Sequence, residues 1–466
     1  MPSPASPAPD LPDQPPLERG LGVWQATALN VANMVGIGPF ITIPGFIAAM
    51  HGPQALIAWV IAAVLVMCDG LVWSELGAAL PGSGGSYHFL REVFGGYRWG
   101  RLIPFLFIWQ FLVSGALEMA SGYIGALGYL AYIFPQLGPP SGQTGIPWGT
   151  RWIAVGAVAL VTLLLFQRIR HIGWLGIVLC TGTIVTVLIV IAAGLANFNA
   201  SLIDFPPNAF RLDAQFASGL GAAMLIAVYD YLGYFNVCHL GDEVREPHKT
   251  IPRAVMGSIV IVASVYLTMN IAILGVVPWR EAMQSQNIGA DFMERLYGRG
   301  VAEAFTWFIL WTAMACLFAI TLGYSRIPYA AALRGDFFRI FAYVHPTRRY
   351  PVVSLAVLGV LTAAFCFLDL GLVISATVCV RIVVEFIGQI AALHVVHTTR
   401  PDIHLPFRMW FYPLPSIVAL VGWLYVLGTS GLPVIWLSLI VIVTGMIAFE
   451  LRQFWSQWKK SSEASP

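Results

Sequence analysis

Twelve apolar stretches, each close to the ~20 residues that a helix needs to cross a bilayer, dominate this 466-residue chain. Backbone groups inside the hydrocarbon layer must be hydrogen-bonded within their own segment, so spans of this kind are helices. Charged residues make up only 10% of the sequence. The sequence therefore predicts an all-α integral membrane protein with twelve transmembrane helices. The predicted spans are 24–49, 54–80, 102–133, 151–167, 172–196, 215–240, 254–277, 302–325, 352–369, 371–397, 412–429 and 433–451.

The placement of Lys and Arg predicts how these spans are oriented. With a cytoplasmic N-terminus and alternating spans, 19 of the 25 Lys and Arg lie inside, five lie outside, and Arg381 lies within a span. Cytoplasmic loops carry an excess of positive residues. We therefore expect a multi-pass protein of the cytoplasmic membrane with both termini in the cytoplasm. Residues 1–20 contain seven prolines and are expected to form a disordered tail rather than a signal peptide.

Two spans are interrupted near the middle of the membrane. Span 1 carries Gly36, Gly38 and Pro39, and span 6 carries Asp230 and Gly233 at a similar depth. Proline breaks a helix or starts a new one. Spans 1 and 6 open the first and second groups of five, and matched interruptions of this kind indicate a transporter built from inverted repeats. Two kinks that serve only helix packing are the alternative interpretation.

The two interruptions also predict a binding chemistry. A half-helix that starts at Gly38 exposes free N–H groups and a positive dipole end, which suit a carboxylate. A half-helix that ends near Tyr231 exposes carbonyl groups, which suit an ammonium group or a cation. Together the two ends would hold a zwitterion.

Four motifs carry a family resemblance. They are Gly36-Ile37-Gly38, ELGAALPGSGGSY at 75–87, GDEVREPHKTIPRA at 241–254, and RPDIHLPFRMWFYP at 400–413. In this order they resemble the amino acid–polyamine–organocation transporters, over approximately residues 20–450. The resemblance implies a LeuT-like fold, a five-plus-five inverted repeat with broken helices 1 and 6, two extra C-terminal helices and alternating access. The implied segments are a tail 1–20, a first repeat 21–196, an extracellular linker 197–213, a second repeat 214–397, helices 11 and 12 at 398–453, and a cytoplasmic tail 454–466.

The resemblance also implies a substrate site at the two interruptions. The substrate carboxylate would meet the backbone, and the amino group would meet the last turn of the span 6 half-helix, where Tyr229 is the aromatic gate. The implied carboxylate site comprises Val35, Gly36, Ile37 and Gly38, and the implied amine site comprises Val228, Tyr229, Asp230, Tyr231 and Gly233.

Three departures from the amino-acid branch leave the substrate open. Some proton-coupled members have a lysine in span 5, whereas this chain has Thr183 at about that place. Pro39 removes one N–H that a carboxylate could use, and Asp230 replaces a small neutral residue. A polyamine or another organic cation is the alternative to an amino acid, because four segments resemble the polyamine-transporting branch: 38–40, 115–118, 241–244 and 385–387.

Several ionisable residues lie deep in the predicted spans, where a charge is costly. Glu118 shares one helical face with Gln110, Ser114, Ser121 and Gly125, which predicts a polar lining of the substrate path. A protonated carboxyl group with a packing role is the alternative for Glu118. Asp230 is expected to contact a cationic group or to carry a proton.

The other charged residues are expected to have structural or gating roles. Arg381 and Glu385 are four residues apart and are expected to form a structural ion pair. Glu75 is expected to organise the inner loop, Glu243 to pair with arginines when the inner gate closes, and Asp69 receives no role. Tyr229, Asp230, Thr183 and Glu243 are the candidates for coupling or gating.

The sequence thus predicts a secondary-active permease and not an enzyme. No phosphate-binding loop for ATP, no catalytic motif, no metal-ligand spacing and no basic excess for nucleic acid is present, so none of these partners is expected. No cofactor is expected beyond a coupling ion, for which H⁺ is favoured over Na⁺. The expected partners are a small-molecule substrate and the lipid bilayer, with no indication of a partner subunit. Exchange without an ion and a substrate sensor that does not transport remain alternatives.

Overall fold

A computed structural model describes residues 19–82, 84–97, 100–139, 145–166, 172–346 and 350–463, with side chains omitted for 172–180 and 456–463. α-Helices dominate these ranges. The helices of the first half are α1 (Val23–Met34), α2 (Gly38–Met50), α3 (Leu56–Ala79), α4 (Ser86–Phe94), α5 (Leu102–Ile133), α6 (Trp148–Leu165), α7 (Ile172–Ala196) and α8 (Ala214–Tyr231).

The second half of the chain is built in the same way. Short helices here connect longer apolar ones, as they do in the first half. The helices are α9 (Pro247–Leu274), α10 (Trp279–Ala282), α11 (Ile288–Tyr297), α12 (Arg299–Tyr324), α13 (Arg326–Leu333), α14 (Val352–Phe365), α15 (Leu370–Arg381), α16 (Ile387–Thr399), α17 (Leu414–Thr429) and α18 (Leu432–Glu463).

The helices confirm the predicted all-α membrane fold. In the described part of the chain, seven helical segments are long and apolar enough to cross a membrane, and α1 with α2 forms one further, bent span. Three more apolar helices are shorter, at Thr181–Ala196, Val352–Phe365 and Leu414–Thr429. The count of twelve spans, their orientation and the division into two repeats stay predictions.

The first span is broken where the sequence predicted it. α1 ends at Met34, Val35 adopts an extended conformation, and α2 begins at Gly38 with Pro39 in its first turn. The axes of α1 and α2 differ by 58°. Proline is well suited to a first helical turn because the N–H that it lacks has no partner inside the helix there.

The sixth predicted span is also broken, but its second half differs from the first span. α8 ends at Tyr231, and Gly233 follows with φ of +110°, a conformation that glycine adopts without strain. The chain then forms a short 3₁₀ helix, Asn236–His239, instead of a second α-helix. The predicted end near Tyr231 is therefore confirmed, whereas the remainder of the span is irregular.

Side chains from other segments satisfy the backbone groups that these breaks release. Asn30 Nδ2 donates to the Tyr234 carbonyl at 2.5 Å, and Asn30 Oδ1 accepts from the Val237 N–H at 2.8 Å. Tyr266 Oη, from α9, donates to the Met34 carbonyl at 2.8 Å. The broken spans 1 and 6 are thus joined to each other and to α9.

A second bridge lies on the opposite side of the first break. Tyr129 Oη, from α5, donates to the Phe40 carbonyl at 2.7 Å and accepts from the Gly289 N–H at 3.2 Å. Gly289 lies in α11, and a β-carbon at this position would approach Phe40 to 2.9 Å. Tyr129 therefore connects α2, α5 and α11 at one point.

Two further elements differ from the simplest interpretation of the sequence. The tenth predicted span contains a π-helical segment, Ile382–Phe386, between α15 and α16, which the sequence analysis did not predict. The motif at 75–87 leads into α4, whose Arg91 Nε binds Asp336 Oδ2 at 2.7 Å.

We predict that Asn30→Ala destabilises the protein, because it leaves the Tyr234 carbonyl and the Val237 N–H without their partner. A buried polar group without a partner costs about 1–3 kcal/mol, so the apparent melting temperature of the purified protein should fall. Asn33→Ala is the matched control, since Asn33 Nδ2 donates only to Leu29 in its own helix. Equal melting temperatures for the two variants would contradict this role of Asn30.

Candidate functional site

The two broken spans meet at Gly38 and Asp230. A β-carbon built on Gly38 would overlap Asp230 Oδ1 and would lie 3.9 Å from the Tyr229 ring. Thr42, one turn further along α2, donates its hydroxyl to Asp230 Oδ2 at 2.6 Å. The first turn of α2 and the last turn of α8 are therefore in direct contact.

The Asp230 carboxyl group is buried, and none of the described basic residues is its partner. Its side chain is 3% exposed, and Oδ1 has no hydrogen-bond partner within the described ranges. A helix N-terminus stabilises a nearby carboxylate by about 2 kcal/mol at most, whereas burying a charge costs several kcal/mol. The N-terminus of α2 alone therefore does not offset the cost of burying a charged Asp230. Asp230 is suited to binding a cationic group or a proton.

The backbone between α1 and α2 lies in a closely packed environment. Val35 and Ile37 are buried, and a β-carbon on Gly36 would lie 2.7 Å from Cys316 Sγ on α12. Ile37 precedes α2 and has no polar side chain that could cap its N–H groups. Pro39 has no N–H, and the Phe40 N–H donates to the Ile37 carbonyl at 2.9 Å. Among the described residues, the Gly38 N–H is therefore the donor at the start of α2 that a carboxylate could use.

Tyr229 connects this junction to α5. Its hydroxyl lies 2.6 Å from Ser121 Oγ, and Ser121 Oγ donates to the Glu118 carbonyl at 2.6 Å. Ser121 and Glu118 are on the face of α5 that the sequence singled out. The structure therefore brings Tyr229 and this polar face together.

The Glu118 side chain is part of a buried ion cluster. Arg381 Nη2 binds Glu118 Oε2 at 2.5 Å, and the Tyr324 hydroxyl donates to the same oxygen at 2.7 Å. Arg381 Nε lies 3.9 Å from Glu385 Oε2, the partner that the sequence analysis assigned to it. The closer partner of Arg381 is thus Glu118 on another helix, and Glu118 is not a free counter-ion at the junction.

The remaining predicted site residues lie around the junction without converging on it. Val228 is fully buried, and the Tyr231 ring packs edge-on against Trp59 at 5.4 Å. Gly233 lies beside Asn33, and a β-carbon on Gly233 would be 3.2 Å from Asn33 Cβ. Val228, Tyr231 and Gly233 shape the end of α8.

The gating candidates Thr183 and Glu243 are separate from the junction. Thr183 is buried in α7, which packs against α12 and α9. Glu243 lies in a 3₁₀ turn, Gly241–Glu243, where its carbonyl accepts from the Leu21 N–H at 3.0 Å. No ion pair of the Glu243 side chain is present among the residues that the structure covers, so its pairing with arginines stays a prediction.

Two other buried acids have partners that the sequence did not show. Asp69 accepts from the Tyr234 hydroxyl and, at 3.0 Å, from Trp423 Nε1. Glu75 lies 2.8 Å from His397 Nε2 and accepts from the Met409 N–H at 2.9 Å. Glu75 thus ties the end of α3 to α16 and to the 400–413 loop, in agreement with its expected organising role.

A cavity of about 500 Å³ lies away from the junction. It opens where the end of α3, the start of α9 and the 400–413 loop meet, and Arg19, Pro81, His248, Asp402 and His404 are among its lining residues. None of the predicted site residues lines it. We therefore place the candidate substrate site at the α1–α2–α8 junction rather than in this cavity.

Sequence reasoning missed three residues of the junction and its surroundings. Thr42 could have been found, because it lies four residues after Gly38 and therefore on the same face of α2. Cys316 and Tyr324 come from α12, and their sequence positions give no signal of contact with Gly36 or Glu118.

The chain is similar to known transport proteins over most of its length. A family model described as "Amino acid permease" matches residues 21–449. The serine/threonine exchanger SteT of Bacillus subtilis is 26% identical, over 89% of this chain and 91% of its own length. Asc-type amino acid transporter 1 of Mus musculus is 26% identical, over 94% and 82%. Cationic amino acid transporter 4 of Homo sapiens is 25% identical, over 76% and 55%.

The family match spans nearly the whole chain, including both broken spans and all four motifs. It agrees with the helical membrane fold and with the paired interruptions. The chain belongs to the amino acid permease family.

Proposed function

We propose that this permease moves small neutral amino acids by alternating access and binds them at the α1–α2–α8 junction. The substrate carboxylate would accept hydrogen bonds from the backbone at the start of α2. The substrate amino group would contact the carbonyl end of α8. The observation that carries this proposal is the direct contact between Gly38, at the start of α2, and the last turn of α8.

The site and the relatives both favour an amino acid over a polyamine. Glu118 is engaged by Arg381 and Tyr324, so a polyamine would find Asp230 as its main counter-ion. The names of the relatives point to amino acids: one is a serine/threonine exchanger, whose named substrates are small and neutral, and another is a cationic amino acid transporter.

Asp230 occupies part of the proposed carboxylate site. Its Oδ1 lies against Gly38, and two carboxylates would repel each other there. We therefore infer that Asp230 turns away or binds a proton when an amino acid enters. Coupling to H⁺ rather than Na⁺, cytoplasmic termini and location in the cytoplasmic membrane belong to the same proposal.

Uptake by the purified protein in liposomes tests the proposed function. We expect labelled L-serine and L-alanine to accumulate, and more so with an inward proton gradient, while putrescine and spermidine do not. Uptake of polyamines alone would contradict the amino-acid proposal and would make Asp230 a counter-ion for the substrate. Binding without any uptake or exchange would identify a sensor instead.

We predict that Gly38→Val abolishes L-serine binding, because the added side chain would fill the space between the start of α2 and Asp230. Gly428→Val is the matched control, since a β-carbon at Gly428 of α17 meets no atom of the described residues within 4 Å. Both variants should remain folded by size-exclusion chromatography. Unchanged serine binding in Gly38→Val would rule out the junction as the carboxylate site.

We also predict that Asp230→Asn separates cationic from neutral substrates. The amide keeps an oxygen that can accept from Thr42 but removes the negative charge. Competition by arginine or putrescine against labelled serine should therefore weaken at least tenfold, whereas competition by alanine should change little. Equal weakening of both classes would show that Asp230 has a structural role or serves the coupling ion.

A further inference from the structure

The buried cluster around Arg381 contains two acids and one base. Arg381 and Glu385 are each 1% exposed, and the Glu118 side chain is 11% exposed. The three residues come from α15, the π-helical segment and α5, all within the apolar bundle. If both acids were ionised, the cluster would carry one uncompensated negative charge in a region where such a charge is costly.

The two acids do not share the arginine equally. Glu118 Oε2 receives the 2.5 Å bond from Arg381 Nη2 and a second bond from Tyr324. Arg381 Nε donates instead to Ser114 Oγ at 3.2 Å and remains 3.9 Å from Glu385. Glu118 is therefore the compensated acid of the pair.

Glu385 receives weaker support. Gln110 Nε2 donates to Glu385 Oε2 at 3.3 Å, a neutral hydrogen bond at the long end of the usual range. Glu385 lies in the π-helical segment Ile382–Phe386, and single π turns inside helices occur frequently at functional sites. Glu385 is thus the carboxyl group of the cluster whose charge Arg381 does not compensate, and a bound proton would neutralise it.

Among the described residues, Arg381 is the one permanent cation near Glu385. The titratable residues near the cluster are neutral or acidic apart from Arg381 and one buried histidine that makes no described ion pair. From the elements packed around the cluster they are Arg381 of α15, Glu118 of α5, Asp69 of α3, Tyr324 of α12, and Tyr234 and His239 after α8.

Hydrogen bonds connect the cluster to the proposed substrate site. A buried polar residue, Gln389, also follows Glu385 in the chain. Ser121 links the Glu118 carbonyl to the Tyr229 hydroxyl through two bonds of 2.6 Å. Gln389, one turn after Glu385, is fully buried, and both polar atoms of its amide lack partners among the described residues. The Gln389 amide is therefore a buried polar position one turn from Glu385, at the start of α16.

We propose that Glu385 binds the coupling proton of this permease. The proton enters from the outer solution, forms an O–H bond on the Glu385 carboxylate, and leaves to the inner solution as the transporter returns. Glu118 remains ionised and paired with Arg381 throughout. This inference rests on the proposed function and places the proton on a residue separate from the substrate junction.

Proteoliposomes that contain a trapped pH-sensitive dye test this assignment, with L-serine as the probe. For the wild type, external serine should acidify the interior, and labelled serine should also exchange with internal serine. For Glu385→Gln, we expect exchange to stay within about twofold of wild type, while serine-driven acidification falls at least tenfold. Glu303→Gln is the matched control, because Glu303 pairs with Arg299 at 42% side-chain exposure, away from the cluster.

The outcomes separate this inference from the proposed function. Serine-driven acidification at the wild-type rate in Glu385→Gln would overturn the inference, and so would wild-type exchange without any proton movement. Absence of serine exchange in the wild type would instead overturn the proposed function.

A second variant keeps the test informative if Glu385→Gln does not fold. Gln110→Leu removes the hydrogen bond that stabilises ionised Glu385, so the protonated form should persist to higher pH. The midpoint of the pH dependence of serine uptake should move upward. An unchanged midpoint in a folded Gln110→Leu protein would contradict the assignment.

Discussion

The need to satisfy backbone groups within the membrane governs this structure. A helix that breaks in mid-membrane releases carbonyl and N–H groups that water cannot reach. Here Asn30 and Tyr266 bind groups released at the breaks, and Tyr129 binds the Phe40 carbonyl, whose usual helical donor is replaced by Pro44. Because these partners come from other helices, the breaks can exist only within the assembled bundle.

The same constraint explains why charge is concentrated at a few positions. Arg381 satisfies Glu118 and Ser114 at once and lies near the rings of Phe111 and Tyr324. Asp69 is satisfied by two neutral donors, Tyr234 and Trp423. Asp230 and Glu385 have weaker support than these residues. A buried acid with full support fixes a helix position, whereas an acid with partial support can change its charge during a cycle.

The sequence predicted local features of the fold and site better than contacts between helices. Gly36, Gly38 and Pro39 predicted the break in span 1, because their effect on the backbone acts where they occur. Gly233 likewise marked the end of α8.

The partner of Arg381 could not be predicted in this way, since spacing along one helix indicates Glu385 and gives no information about α5. The π-helical segment and the partners of Asp69 were equally hidden, because both depend on how distant helices pack. The sequence could predict that Thr42 shares a helical face with Gly38. It could not predict that Thr42 contacts Asp230 on another helix.

The bridge made by Tyr129 has a consequence for how the protein can be studied. One hydroxyl group joins α2, which begins at the proposed substrate site, to α11, an amphipathic helix with an exposed face. A movement of α2 must therefore either carry α11 along or break this bond. An antibody fragment that recognises α11 would therefore bind with an affinity that depends on the position of α2. Such a fragment would favour one conformation of the transporter without entering the transport path.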